Sequence, residues 1–199
     1  MAYSTNEYEI TQPDLSPTRL DLATLGQGGA SGDLLYNPFD PLAEDNLLIR
    51  DWASTAFSSK TTTGLLVWDA VVNGDWFSTD AGTASFAFGS QVRSESYEVD
   101  PDDVSTLRYD AQGNPLSNDF LFLGGVNTVD ESRTTYAAFA ETEIPLAEGL
   151  DLNAAVRYEV LDTANSLDPK VSLRYKVAEH LIVRASVSTS FREPSLAQF

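Results

Sequence analysis

From residue 63 onward, apolar and polar residues alternate with period two in six runs, with turn signals between them. The cleanest run is 151–161. There Leu152, Ala154, Val156, Tyr158 and Val160 share one face, and Asp151, Asn153, Ala155, Arg157 and Glu159 share the other. In 170–177, Val171, Leu173, Tyr175 and Val177 oppose Lys170, Ser172, Arg174 and Lys176. In 181–191, Leu181, Val183, Ala185, Val187 and Phe191 oppose Arg184, Ser186, Ser188 and Ser190, and Ile182 interrupts the polar face. Earlier runs are weaker. Ala84, Phe86, Phe88 and Val92 oppose Ser85, Gln91, Arg93 and Glu95. Tyr136, Ala138, Ala140 and Ile144 oppose Thr135, Glu141 and Glu143, with Phe139 on the polar side. The run 63–77 is apolar on parts of both faces. The pattern predicts six consecutive strands.

Connections between the runs alternate in length. Residues 78–82, 146–149 and 178–180 are short, 161–169 is intermediate, and 99–130 is long and rich in Asp, Gly, Asn and Pro. Short turns at one end and longer loops at the other predict an up-and-down antiparallel sheet. Ahead of it, residues 11–46 carry Pro13, Pro17, Pro38 and Pro41 and a glycine cluster at Gly26, Gly28, Gly29 and Gly32. Residues 1–46 are therefore expected to be an irregular, loop-rich segment and 47–199 the sheet. Residues 45–55 fit a short helix and a strand equally poorly.

Two architectures alternate in this way. A soluble β-sandwich turns its apolar faces inward to a shared core. A transmembrane β-barrel turns them to lipid and lines its lumen with the polar face. Aromatics near strand ends (Trp76, Phe77, Tyr97, Tyr136, Tyr158, Tyr175, Phe191) suit membrane interfaces. Small residues on apolar faces, such as Ala138, Ala140, Ala154 and Ala185, suit a sandwich core less well.

Composition narrows the chemistry. Thirty acidic residues against 12 basic ones give a net charge of −18, which repels phosphates and argues against nucleic-acid partners. There is no cysteine, which removes thiolate metal sites, disulfides and cysteine nucleophiles. The one histidine, His180, excludes a histidine-rich zinc site and stands in a predicted turn without a serine nucleophile pattern. No apolar run reaches the ~20 residues of a membrane helix, and residues 1–11 lack the pattern of a signal peptide. The cluster Gly26–Gly32 is no phosphate loop, because no Gly-Lys-Ser/Thr follows. Asp100, Asp102 and Asp103 offer hard-cation ligands, but their spacing is not that of an EF-hand, and an ordinary acidic loop is expected. No catalytic constellation and no cofactor motif emerges.

The C-terminal stretch 166–199 closely resembles the barrel of TonB-dependent outer-membrane receptors. The family unit P-K-x-x-L-x-Y-x-P, a turn, then L-x-x-R-A-S-x-S-x-x-F-R-x-P-S-L, is carried by Pro169, Lys170, Leu173 and Tyr175, then by Leu181, Arg184, Ala185, Ser186, Phe191, Arg192, Pro194, Ser195 and Leu196. Two positions depart from it: Val177–Ala178 where proline is frequent, and Glu193 where alanine is frequent. Residues 141–146 resemble the E-x-x-I-P-L strand end, and Ala155–Tyr158 the A-x-R-Y strand. Gly74, Asp75, Phe77, Ala81 and Gly82, followed by Ala87, Gly89, Arg93 and Glu95, resemble a pattern of one large branch, and Asn37–Phe39 recurs upstream there.

The resemblance implies a segment of a 22-stranded barrel with a plug domain inside it. The expectation is a fragment of a larger receptor, with Phe199 following a mid-barrel motif rather than acting as the closing aromatic. The implied function is uptake of a scarce nutrient such as a siderophore, vitamin or saccharide, without bond chemistry. The implied surroundings are outer-membrane lipid of a Gram-negative bacterium, the TonB complex acting through the plug, and a small nutrient ligand. Arg93, Glu95, Glu141, Glu143, Arg157, Glu159, Lys170, Arg174 and Arg184 are the expected lumen-facing residues, as plug contacts, a substrate path or simply a wet, mutually paired wall. Tyr109, Phe120 and Phe122 are expected either to meet a ligand or to pack the long loop down. The alternative is a soluble β-sandwich that binds a ligand or carbohydrate.

Overall fold

A computed structural model describes residues 1–162 and 164–198; the expectation for Phe199 lies outside the described residues. Seven strands form one antiparallel sheet in strict sequence order. They are β1 (Ala2–Leu15), β2 (Ser54–Thr79), β3 (Gly82–Pro101), β4 (Val129–Ala147), β5 (Leu150–Val160), β6 (Asn165–Ala178) and β7 (Leu181–Ser188). No pairing of β7 with β1 closes the sheet among the described residues. The six strands predicted from alternation are β2 to β7.

The first strand is the main departure from expectation. Ala2–Leu15 is a strand, not irregular chain. Tyr, Thr and Glu dominate it and no apolar alternation marks it, because its backbone pairing with β2, not a buried face, gives it its shape. Pro13 is tolerated because β1 is an edge strand.

Two helices follow from local signals. α1 (Pro17–Thr24) begins with Ser16 as cap, its hydroxyl accepting from the Arg19 amide at 3.0 Å, and with a proline in the first turn. α2 (Glu44–Ala53) resolves the ambiguity at 45–55. Its cap, Ala43, makes no side-chain bond, but Glu44 and Asp45 stand in the first turn and Arg50 in the last, matching the helix dipole.

Contacts divide the chain into two compact units. One holds residues 6–63 and 97–130; the other holds 1–5, 64–96 and the chain from 131 onward. The first has a small conventional core of Ala23, Ile49, Ala53, Val99 and Phe120. In the second, the buried apolar residues among those described are Ala84, Ala137 and Leu161.

The register in the second unit sorts side chains by face. Across β4, β5, β6 and β7, one row reads Ile144, Leu152, Leu173, Ala185, and the next reads Thr142, Ala154, Val171, Val187. The opposite face carries Glu143, Asn153, Ser172, Ser186, and then Glu141, Ala155, Lys170, Ser188. On β5 the polar-face residues Asn153, Arg157 and Glu159 are half-buried, while Val156, Tyr158 and Val160 are exposed. The apolar rows thus meet no second layer. All seven strands belong to one sheet, which removes the β-sandwich expectation, since a sandwich needs two packed sheets.

Strand lengths carry the same message. Crossing a bilayer takes roughly 9–11 tilted residues. β5 has 11 and β6 has 14, whereas β2, β3 and β4 have 26, 20 and 19. The longer strands therefore extend well past a bilayer's thickness. At the short connections the turns are tight; Gly149, between β4 and β5, takes a φ of 72° that a side chain would strain.

Candidate functional site

The polar face of the second unit holds most of the sequence-predicted residues, and its groups engage one another in clusters. On β5, Arg157 donates to Glu159 Oε1 at 2.6 Å and, through the same Nη2, to Gln91 Oε1 of β3 at 2.9 Å. Gln91 in turn donates to Asp69 of β2 at 2.6 Å, so one polar chain crosses from β2 to β5. Nearer the β4–β5 turn, Asn153 donates to Glu141 at 2.6 Å, and Arg174 pairs with Asp151 at 2.9 Å.

The second row of charges contains a mismatch. Arg174 stands directly opposite Asp151 on one side and Arg184 on the other. Like charges opposite one another in a sheet repel. Asp151 offsets one of the two cations. Among the described residues Arg184, Lys170 and Glu143 form no ion pair. A trough of about 450 Å³ runs between these groups, lined by Glu141, Glu143, Lys170, Arg174 and Arg184 with Ser172 and Ser186.

The most buried charges were not singled out from sequence. Arg133 of β4 has a side chain only 10% exposed. It donates from Nε to Glu95 at 2.7 Å and from Nη1 to the Pro194 carbonyl at 2.5 Å, and it pairs with Glu193 at 3.3 Å. Arg93 stands 3.8 Å from the same Glu95. Arg93 and Glu95 thus belong to a network whose centre is Arg133. Two signals pointed there. Arg133 continues the polar-face parity of Thr135, Glu141 and Glu143, and Glu193 is the position where the chain departs from the family's frequent alanine.

Pro169 lies opposite Val156 on the apolar face, and Phe191 and Arg192 are exposed. Pro194 offers its carbonyl to Arg133.

In the other unit, the three loop aromatics separate. Phe120 is 5% exposed and packs edge-to-face on Phe57 at 6.2 Å, so it holds the loop down and is unavailable to a ligand. Phe122 is 81% exposed. Its amide and that of Leu123 donate to the Asp14 carboxylate. Tyr109 is exposed and donates to Asn127 at 2.8 Å. Asp119 joins the loop to α1, accepting from the Ser16 hydroxyl at 2.5 Å and from the Thr18 amide at 3.1 Å. Partial burial would raise the Asp119 pKa, but these bonds and the nearby Arg19 charge outweigh it and hold the carboxyl below its ordinary value. Asp110 is held low chiefly by the Asn114 side chain, with the Asn114 amide adding to it.

Asp102 spends its carboxylate on the Ser105 amide at 2.8 Å, closing a turn. Among the described residues no three acidic or histidine side chains group closely enough to hold a metal ion, and no helix is long and apolar enough to cross a membrane. His180 lies in the turn between β6 and β7.

A single-layer, unclosed antiparallel sheet in sequence order, with one exposed apolar face and one polar face, is consistent with the wall of an incomplete β-barrel. The family model for TonB-dependent receptor-like β-barrels matches residues 3–199, and the chain belongs to that family. Its members are transporters of the Gram-negative outer membrane. Searches of curated proteins and of solved structures returned no match to this chain.

Proposed function

We propose that these strands are part of the wall of an outer-membrane receptor that takes up a scarce nutrient, of the siderophore, vitamin or saccharide kind. In this reading the apolar rows of β4 to β7 face lipid. Arg93, Glu95, Glu141, Glu143, Arg157, Glu159, Lys170, Arg174 and Arg184 face the lumen. The TonB complex drives admission through the receptor's plug domain, and exposed loop residues such as Tyr109 and Phe122 meet the ligand outside. The chain carries out no bond chemistry. Admission is a shift between closed and open states, driven by differential contacts in each.

One observation carries the reading. The apolar residues of interior strands lie in register and remain exposed: Val156, Tyr158, Val171, Leu173 and Tyr175 are 39–46% exposed. A contiguous apolar face of this kind is tolerated where lipid, not water, covers it.

The test is fractionation of the native cells, blotted with an antibody raised to residues 166–198. The signal is expected in the outer-membrane fraction, resistant to alkaline wash and shifted in mobility by boiling. A signal confined to the soluble fraction would overturn the proposal.

A further inference from the structure

We infer that the long β1–β2 connection holds a preformed recess for a small, neutral, mainly aliphatic molecule that carries one hydrogen-bond acceptor. The inference deepens the receptor reading above and rests on it for the side from which the molecule arrives, since long connections of outer-membrane barrels are extracellular. The recess has a volume of about 450 Å³ and lies between α1, α2 and the chain that joins them, with Leu121 of the β3–β4 connection as a further wall. Its size falls within the range of small-molecule sites.

Local bonds hold the walls in place. Asn46 of α2 is 5% exposed and commits its amide to the joining chain. Its Nδ2 donates to the Asn37 carbonyl at 2.7 Å and to the Asp40 carbonyl at 2.8 Å, and its Oδ1 accepts from the Asn37 amide at 2.9 Å. The Tyr36 amide donates to the Ala23 carbonyl in the last turn of α1 at 2.9 Å, and the Leu121 amide donates to the Leu15 carbonyl at 2.9 Å. Ile49, fully buried, closes the recess from below. The space therefore exists before any occupant arrives, which spares the ordering cost of forming it.

The lining selects the occupant. Leu20, Leu42, Leu47, Ile49 and Leu121 present aliphatic surface. Leu42 is 80% exposed, and Leu47 and Leu121 are also exposed. In an extracellular connection no lipid covers them, and apolar surface left to water marks a binding groove. No carboxylate lines the recess, so nothing in it holds a cation. The polar groups with capacity to spare can donate. The Tyr36 hydroxyl and Arg50 Nη1 make no hydrogen bond among the described residues, whereas Arg50 Nε and Nη2 are spent on Asp51 and the Thr24 hydroxyl on the Asp21 carbonyl. Such donors call for an acceptor such as a carbonyl oxygen. Glu44, Asp45 and Asp51 on α2 disfavour a full anion. A bare saccharide is disfavoured too, because most of its hydroxyls would exchange water for aliphatic wall.

The experiment uses the full receptor in native outer-membrane vesicles. The probe is the N-butyl amide of a pentanoic acid that carries a diazirine on its chain; it is neutral, aliphatic and has one carbonyl. Labelled residues are mapped by mass spectrometry. Phe39 is the control, because it is 94% exposed in the same connection yet does not line the recess. Labelling several-fold higher at Leu42 and Leu47 than at Phe39 is expected, abolished by excess unlabelled amide and several-fold weaker with the diazirine-bearing acid, an anion at neutral pH. Y36F combined with R50Q should remove most of the excess, and L47W, which fills the space, all of it. If L47W fails to assemble, competition by the unlabelled amide decides. Equal labelling at Phe39 and Leu47, or labelling that the unlabelled amide does not compete, would overturn the recess and leave the receptor reading standing. Labelling by the acid as strong as that by the amide would overturn the neutral occupant. If the fractionation test fails while competed labelling persists, the recess stands without the receptor reading.

Discussion

Phe139 lies across the bare backbone of Gly89. A Cβ built on the glycine would stand 2.9 Å from the ring's Cε1 and closer still to the Ala70 carbonyl oxygen of the neighbouring strand. An aromatic covering a strand glycine protects backbone that has no side chain of its own. G89A is expected to destabilise the sheet by roughly 1–3 kcal/mol, as overpacking does. F139A should not rescue it, because the carbonyl, not the ring, is the nearer obstacle. Urea unfolding of the two single variants and the double variant in vesicles checks this; rescue by F139A would show that the ring sets the constraint.

The Arg133 network makes a separable prediction. Arg133 is held by Glu95, Glu193 and the Pro194 carbonyl, so R133A leaves carboxylates of low exposure short of their cation. A loss of about 1.5–3 kcal/mol is expected, the range for hydrogen bonds to charged groups. Glu95 has a second cation in Arg93 at 3.8 Å, so E95Q should cost less than R133A. A double-mutant cycle between positions 95 and 133 should show coupling, and additive losses would mean that the two side chains act independently.

What the sequence showed and what it hid follows from how each element is held. β5 and β6 alternate strictly, and β7 with one exception, because the two faces of the sheet meet different surroundings, and that constraint is written residue by residue. Ile182, the break in the polar face, is found opposite Lys176 on that face, so even the exception was readable. β1 was not legible, because an edge strand is held by backbone bonds that any residue can make. α2 is ambiguous because its apolar residues Leu47, Leu48 and Ile49 are consecutive and fit neither period; its dipole charges settle it. For the polar face, parity placed the charges but not their partners. Arg157 and Glu159 are two residues apart on one strand and meet directly, whereas Arg133 and Glu193 are distant in sequence and meet only through the fold. Phe120 and Phe122 share parity yet differ in exposure, since loop packing follows no period.

Acid should loosen the loop that carries Asp119. Its folded pKa lies below the ordinary 3.8, so its bonds to Ser16 and Thr18 contribute stability that is complete above 3.8 and is lost as pH falls through the lower folded value. Hydrogen exchange of residues 116–123 should therefore be unchanged between neutral pH and about pH 5, and accelerate below about pH 4 beyond the intrinsic pH dependence of exchange. D119N should show the faster exchange at neutral pH and little further response to acid. An acid response of equal size in D119N would assign it to other carboxylates.

The two faces can be told apart at adjacent residues. Leu173 lies on the apolar face of β6, in row with Leu152, and Ser172 lies on the polar face, in row with Asn153. Their backbones occupy nearly the same depth, so a substitution at each differs mainly in what the side chain meets. An arginine facing lipid costs about 2–4 kcal/mol near the bilayer midplane and less near its surfaces, whereas one facing a wet lumen costs little. L173R is therefore expected to lose most of its assembled barrel, read as the heat-modifiable band on gels. S172R should keep that band and alter only passage through the lumen. Arg174 and Arg184 nearby add some repulsion to S172R, which S172Q avoids while still filling the same space. Equal damage from L173R and S172R, with S172Q also failing, would mean that both faces are closely packed against protein and that the apolar face does not meet lipid.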